Sequence, residues 1–250
     1  MTEKPTREAH ILDQLARDGG VLVAALSREL GVSEVTIRSD LRDLEAAGLL
    51  QRTHGGAQAS SFQTVLERQR NRRGAKQRIA AAAAALVRDG DAVMIEAGTT
   101  TALVAAALTG RHAITVVTNS TLALAAARLD PGLRMILAGG RFHPGMESFT
   151  GSDTLGIVGG YNVRLAFVGT DGFSAEHGLT TPFTDGADVV RAMCRQADEA
   201  WLVADSSKLG RAGFVRVLGL DQVTGVVTDK GIGQVAADEI RALGTKVIVA

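Results

Sequence analysis

Residues 32–45 read VSEVTIRSDLRDLE, and the face this segment turns to solvent decides how the N-terminal part of the chain is read. On a wheel of about 100° per residue, Ile37, Leu41 and Leu44 fall together and pack inward. Val35, Arg38, Ser39 and Arg42 fall on the opposite side, with Asp40 and Glu45 at the flanks. Two arginines that can fork onto guanine edges or phosphates, a hydroxyl, and an apolar tip for a thymine methyl are what a recognition helix presents to a major groove. Ser33 stands at the N-cap position, with Glu34 at the positive end of the helix dipole.

The neighbouring segments fit that helix. Thr6 to Asp18 carries Ile11, Leu12 and Leu15 at helical spacing and stops at Gly19-Gly20. A shorter helix over Ala24 to Leu30 ends at Gly31, whose freedom at positive φ suits a sharp turn. Gly48 ends the third helix. LLQRTHGGA, residues 49–57, then reads as a β-hairpin turning at Gly55-Gly56, a wing that brings Arg52 and His54 to the DNA backbone or minor groove. The DNA contacts expected are Val35, Thr36, Arg38, Ser39, Arg42, Arg52 and His54. Charge alone does not select this reading. Nine acids outnumber seven bases in residues 1–58, and the whole chain is neutral, so the claim rests on local geometry.

From Ala92 the rhythm changes. AVMIE, ITVVT, LRMILA, VRLAFVG, AWLVAD, VTGVVTD and TKVIV alternate with helical stretches, the pattern of βαβ units in a mostly parallel, Rossmann-like sheet. The fold expected is α/β, with a winged helix-turn-helix domain over 1–58, a basic linker over 59–75 and a larger domain over 76–250. Between Arg68 and Arg78 lie Arg68, Arg70, Arg72, Arg73, Lys76 and Arg78 with no acid; such a run serves equally as a solvated helix face or as a phosphate-tracking strip.

Several classes are excluded. The longest apolar run, Ile79 to Val87, is too short to span a bilayer, and the polar N-terminus has no signal pattern. Cys194 is the single cysteine, so no internal disulfide exists, in keeping with a reducing cytoplasm. The five histidines are scattered without ligand spacing, and the first βα loop, AGTTT, lacks the dinucleotide signature. No metal or cofactor is expected.

In an open parallel sheet, ligands collect beyond the carboxyl ends of the strands. There the sequence places Gly98 with Thr99, Thr100 and Thr101; Asn119 with Ser120; Gly139, Gly140 and Arg141; Asp171 with Gly172; and Asp205 with Lys208. Any one of these is an ordinary cap or turn residue. Five polar strand ends together describe a crevice for a small polyhydroxylated anion. Gly98–Thr101 and Lys208 would hold its phosphate, and Asn119 and Asp171 its hydroxyls.

VSEVTIRSDLRDLEAAGLLQRTHGGA closely resembles the N-terminal signature of the DeoR/GlpR family of bacterial transcriptional regulators, and GTTT, TNS, GGR and DSSK follow in that family's order. The resemblance covers nearly the whole chain. It implies a sensor domain similar in fold to ribose-5-phosphate isomerase and a phosphorylated sugar-pathway intermediate as effector. Because one recognition helix buries too little surface for useful specificity, a dimer or tetramer is expected on the operator. Two positions depart from the family. Ser39 stands where a second consecutive arginine is usual, and Glu96, counted among the effector contacts, stands where aspartate is commoner. The rival reading is a sugar-phosphate isomerase with an appended DNA-binding module. DGADVV at 185–190 resembles the acidic loop of those enzymes, but Asp185 is better explained as a helix N-cap with Asp188 in the first turn, and no positioned base is identifiable. The expectation is therefore a cytoplasmic, non-enzymatic regulator.

Overall fold

A computed structural model describes residues 3–18, 20–46, 50–59 and 65–250. Gly19, Gly48, Leu49 and residues 60–64 of the expected linker lie outside the described residues. The chain divides into two compact units between Arg68 and Gln69.

The first unit contains α1 (Lys4–Asp18), β1 (Gly20–Leu22), α2 (Val23–Leu30), α3 (Glu34–Ala46), β2 (Leu50–Thr53) and β3 (Gly56–Ala59). Ile11, Leu15, Leu26, Ile37, Leu41 and Leu44 form its core with Val21 and Leu50, so the helical faces read from spacing are the ones that pack. Gly31 has a φ of 64° and donates its N–H to the Ser27 carbonyl. Ser33 caps α3 by accepting the Thr36 N–H at 3.1 Å.

Three details depart from expectation. β1 is a strand where only helices and turns were anticipated, and it pairs antiparallel with β3. The hairpin turns at His54-Gly55, since Thr53 already pairs with Gly56. Gly56 is a close-approach residue, because a Cβ there would come within 2.0 Å of the Val21 carbonyl oxygen. Asp40 is buried, and it binds Arg7 of α1 through two bonds, Nε to Oδ2 at 2.8 Å and Nη2 to Oδ1 at 2.9 Å. This fork is the buried polar tie between α1 and α3, and Lys4 adds an exposed one by donating to Asp43 at 2.6 Å.

Along the span expected as a basic linker, the described residues form α4 (Val65–Arg70) and the start of α5 (Arg73–Ala84). There follow β4 (Ala92–Ile95), α6 (Thr101–Ala107), β5 (Ile114–Thr118), α7 (Thr121–Ala127), β6 (Leu133–Leu137), β7 (Arg141–His143), β8 (Ser148–Thr150), α8 (Ser152–Gly159), β9 (Val163–Val168), β10 (Gly172–Ser174), β11 (Gly178–Thr181), α9 (Thr184–Arg195), β12 (Ala197–Val203), β13 (Val215–Leu218), β14 (Gly225–Thr228), α10 (Gln234–Ala242) and β15 (Lys246–Val249). All seven strands read from β-branched runs pair in one parallel sheet of order β15-β14-β12-β9-β4-β5-β6.

Alternate residues of these strands enter opposite faces, as the pleat requires. Val93, Ile95, Phe167 and Val203 pack under α5, α6 and α7. Met94, Ala166, Leu202 and Val226 pack under α8, α9 and α10. The result is a three-layer α/β/α unit. Two small antiparallel additions, β7–β8 and β10-β11-β13, were not expected from the sequence. The connections run from β4 outward to β5 and β6, then return to β9 on its other side. The topological switch point therefore lies between β4 and β9, where a crevice opens in this class of sheet.

Candidate DNA interface and effector crevice

On α3 the residues opposite the core are exposed: Val35 at 74%, with Arg38, Ser39 and Arg42 beside it. The Arg38 guanidinium donates to Glu34 at 2.7 Å. Such an exposed i,i+4 pair is worth only about 0.3–0.5 kcal/mol, so a phosphate displaces it easily. The Thr36 hydroxyl is engaged with Ser33 Oγ at 2.9 Å, which makes it part of the cap as well as a neighbour of the face. Arg52 and His54 are exposed on the hairpin, and the Arg52 N–H donates to Glu45 Oε1 at 2.9 Å. The acids of this region are thus occupied with neighbours, and the arginines remain within reach of solvent.

The larger unit treats its polar residues differently. At the switch point, Glu96 directly follows β4, is buried, and accepts the N–H of Gly169, which directly follows β9, at 3.0 Å. Thr99 and Thr100 are buried in the following loop and Thr101 at the start of α6, and the Thr101 hydroxyl donates to the Gly98 carbonyl at 3.0 Å. Lys76 reaches this loop from α5; it is buried, and its Nζ donates to Thr99 Oγ1 at 3.1 Å. Beyond the ends of β9 and β12, Lys208 Nζ lies 3.8 Å from Asp171 Oδ1, while the other Asp171 oxygen accepts from the Thr181 hydroxyl at 3.1 Å. Glu96, the Gly98–Thr101 loop, Asp171 and Lys208 therefore sit at adjoining strand ends, joined by Lys76, Gly169 and Thr181.

Five expected contacts have a structural role in the fold. Asn119 is buried, accepts the Ala97 N–H and donates to the Phe149 carbonyl, both at 2.9 Å, so its amide is spent joining two loops. Ser120 is the buried N-cap of α7, accepting from Ala123 N–H at 3.2 Å. Asp205 is buried and caps the 3-10 turn Ser206–Lys208 through the Ser207 N–H at 3.1 Å. Gly140 has a φ of 149°, and a Cβ there would stand 2.4 Å from Thr154 Oγ1, while Gly172 lies equally tight against the Arg211 carbonyl. Arg141 is 74% exposed and pairs at 3.9 Å with Asp185. Asp185 itself lies inside the first turn of α9, whose N-cap is Phe183; the expected cap is one register early, because the helix begins at Thr184.

Sequence reasoning missed Lys76 and Arg72. Both lie in the basic run, whose exposed members Arg70, Arg73 and Arg78 gave no reason to single them out. The one available signal was Lys76 three residues before Ile79 on the apolar face of α5, an inward position for a lysine. Arg72 donates to Asp229 Oδ2 at 2.8 Å. Burial alone raises the Asp229 carboxyl, but the Ser206 and Gly231 amides, the Ser206 hydroxyl and Arg72 outweigh it and hold the group below the usual carboxylate range. Among the described residues no helix is long and apolar enough to cross a membrane, and no cluster of His, Cys, Asp and Glu is grouped to hold a metal ion.

Two family models match the chain, the DeoR-like helix-turn-helix domain over residues 7–63 and the DeoR C terminal sensor domain over residues 71–230. The chain belongs to the DeoR family. It is 34% identical to the HTH-type transcriptional regulator GlpR of Haloferax volcanii, over 97% of this chain and 96% of that protein. It is 32% identical to the lactose phosphotransferase system repressor of Lactococcus lactis, over 92% of each. Ribose 5-phosphate isomerase A of Methanocaldococcus jannaschii aligns with 54% of this chain and 53% of its own, at 21% identity and a TM-score of 0.40. That likeness is partial and says nothing of activity. As a DeoR-family protein the chain is a DNA-binding transcriptional regulator, and the relatives matching it along nearly their whole length are regulators, so the enzyme alternative falls.

Proposed function

We propose that this DeoR-family regulator represses a carbohydrate-utilisation operon in the cytoplasm and releases its operator when a phosphorylated sugar fills the crevice between β4 and β9. The observation that carries the reading is the pairing of opposite demands at one switch point. Lys76 donates to the glycine-threonine loop, which suits a phosphate, Lys208 stands beside Asp171 at a neighbouring strand end, and Glu96 and Asp171 supply acceptors for sugar hydroxyls. The DNA contacts are Val35, Arg38, Ser39 and Arg42 on α3, with Arg52 and His54 on the hairpin and Thr36 at the helix start. One recognition helix buries too little surface for useful specificity, so two DNA-binding units act together in a dimer or tetramer. The effector shifts DNA binding only by its differential affinity for the operator-bound and released arrangements.

The test is fluorescence anisotropy of the full chain on DNA from its own upstream region, with excess nonspecific competitor and a panel of phosphorylated and unphosphorylated sugars. Binding abolished by one sugar phosphate and by none of its unphosphorylated counterparts is the expected result. Lys208→Ala should keep normal operator affinity and lose the response by tenfold or more, about the worth of one charge-assisted bond to phosphate. A fully inducible Lys208→Ala overturns the phosphate assignment.

A further inference from the structure

Release of DNA requires that events at the crevice reach the chain leading to the DNA-binding unit, and a polar knot beside the crevice offers the route. Arg72 is the residue immediately before α5, and it holds a left-handed φ of 53°. Non-glycine residues keep that conformation only where their surroundings over-determine it. Here the surroundings are specific. The Arg72 Nη2 donates to Asp229 Oδ2 at 2.8 Å and to Ser206 Oγ at 3.0 Å, and Nε lies 3.4 Å from Asp205 Oδ1.

Both carboxylates are buried, and both are also bound to the turn that carries Lys208. Asp229 accepts the Ser206 N–H at 2.7 Å and the Ser206 hydroxyl at 3.1 Å, and its second turn bond is to the Gly231 N–H at 3.1 Å. Asp205 accepts the Ser207 N–H at 3.1 Å and the Ser207 hydroxyl at 2.6 Å, and its carbonyl accepts the Lys208 N–H at 3.0 Å. The turn Ser206–Lys208 is thus pinned from both sides by the two acids that the guanidinium spans. A planar fork can hold two carboxylates and a hydroxyl at once, which an ammonium on a flexible stem does not reproduce.

We infer that Arg72 is the coupling latch of the sensor unit, a positioning residue that makes the Lys208 turn and the start of α5 move as one body. When Lys208 exchanges Asp171 for a phosphate, the turn shifts, and Arg72 carries that shift into the chain segment that leads back to the DNA-binding unit. This inference rests on the effector reading of Lys208.

The experiment uses the full chain as wild type, Arg72→Gln, Arg72→Lys and Lys208→Ala. Hydrogen exchange without ligand comes first. Arg72→Gln should speed exchange of the Ser206 and Gly231 amides and of the first turn of α5 together, by roughly tenfold, and leave the β4, β9 and β12 amides unchanged. Calorimetric titration and operator anisotropy follow, with glucose 6-phosphate, fructose 1-phosphate and fructose 6-phosphate as probes. Arg72→Gln should bind the active probe within about threefold of wild type, yet lose at least tenfold of the operator response. Lys208→Ala should lose both. Arg72→Lys should recover the melting temperature without recovering the response, which separates coupling from mere support of the fold. An unchanged response in Arg72→Gln, or exchange that rises at only one of the two tied segments, overturns the latch. A wild type indifferent to every probe removes the effector reading instead, and the exchange data still decide whether the two segments are coupled.

Discussion

The two units place their functional side chains in opposite situations. On α3 the residues proposed to read DNA stand exposed on a face the fold does not use, while the fold is held from behind by Ile37, Leu41 and the Arg7–Asp40 fork. In the sensor unit the candidate residues are themselves the carpentry. Asn119, Ser120, Asp205 and Glu96 are buried and bonded to loop backbone before any ligand arrives. The difference follows from the ligands. DNA is a large partner met on a surface, so its readers can be exchanged with little harm to stability. A small anion must be enclosed, and enclosure commits the same side chains to the walls.

The largest effect that would test this contrast is off the reading face altogether. Asp40→Ala leaves the buried Arg7 guanidinium without its carboxylate and should destabilise the DNA-binding unit by about 3 kcal/mol, seen as an early urea transition that leaves the sensor transition in place. Next comes Asn119→Ala, which strands the Ala97 N–H and the Phe149 carbonyl and should lower sensor stability by roughly 2 kcal/mol; a variant as stable as wild type would remove Asn119 from the walls. Arg42→Ala should do the reverse of both, weakening operator binding by about tenfold while unfolding stays within about 0.5 kcal/mol of wild type.

The smallest effect distinguishes the units by acid. Hydrogen bonds from Arg164 hold the Asp91 carboxyl below the usual range, against the opposing pull of burial. A depressed carboxylate contributes stability that is present above its unfolded pKa of about 3.9 and is lost as pH falls below it toward the folded value. Asp43 in the DNA-binding unit is lowered likewise by Lys4, but that pair is exposed and salt screens it. Thermal melts between about pH 5 and pH 3 should therefore show an acid-dependent loss in the sensor transition that added salt does not abolish. Equal salt sensitivity in the two transitions would sink the distinction.

The seven parallel strands were legible because each is a β-branched run long enough to stand out from its flanking helices. β1 and β10 escaped because three residues carry no period, and β11 because all four of its residues are buried and nothing alternates. At the proposed site, residue type and strand-end position were readable, and Glu96, Thr99, Asp171 and Lys208 do lie at the ends of neighbouring strands. What a side chain had already been bonded to was not readable, and that decides whether Asn119 and Asp205 face a ligand or hold a loop. Lys76 and Arg72 were hidden for the converse reason, since a basic run looks the same whether its members are solvated, buried like Lys76 or bound to buried acids like Arg72.

The position of β4 also bears on how the sensor unit comes into being. β4 meets β5 after a single short helix, but it meets β9 only after β5, α7, β6, the β7–β8 pair and α8 have been made. Closing so long a segment is entropically slower than zipping neighbours. A nascent chain that has not yet supplied β9 therefore carries half a sheet with one flank of β4 bare, an adhesive edge of the kind that recruits other chains. Until β9 arrives, the flank of β4 at the switch point stays uncovered, so the most vulnerable edge of the growing chain and the proposed effector site share one seam.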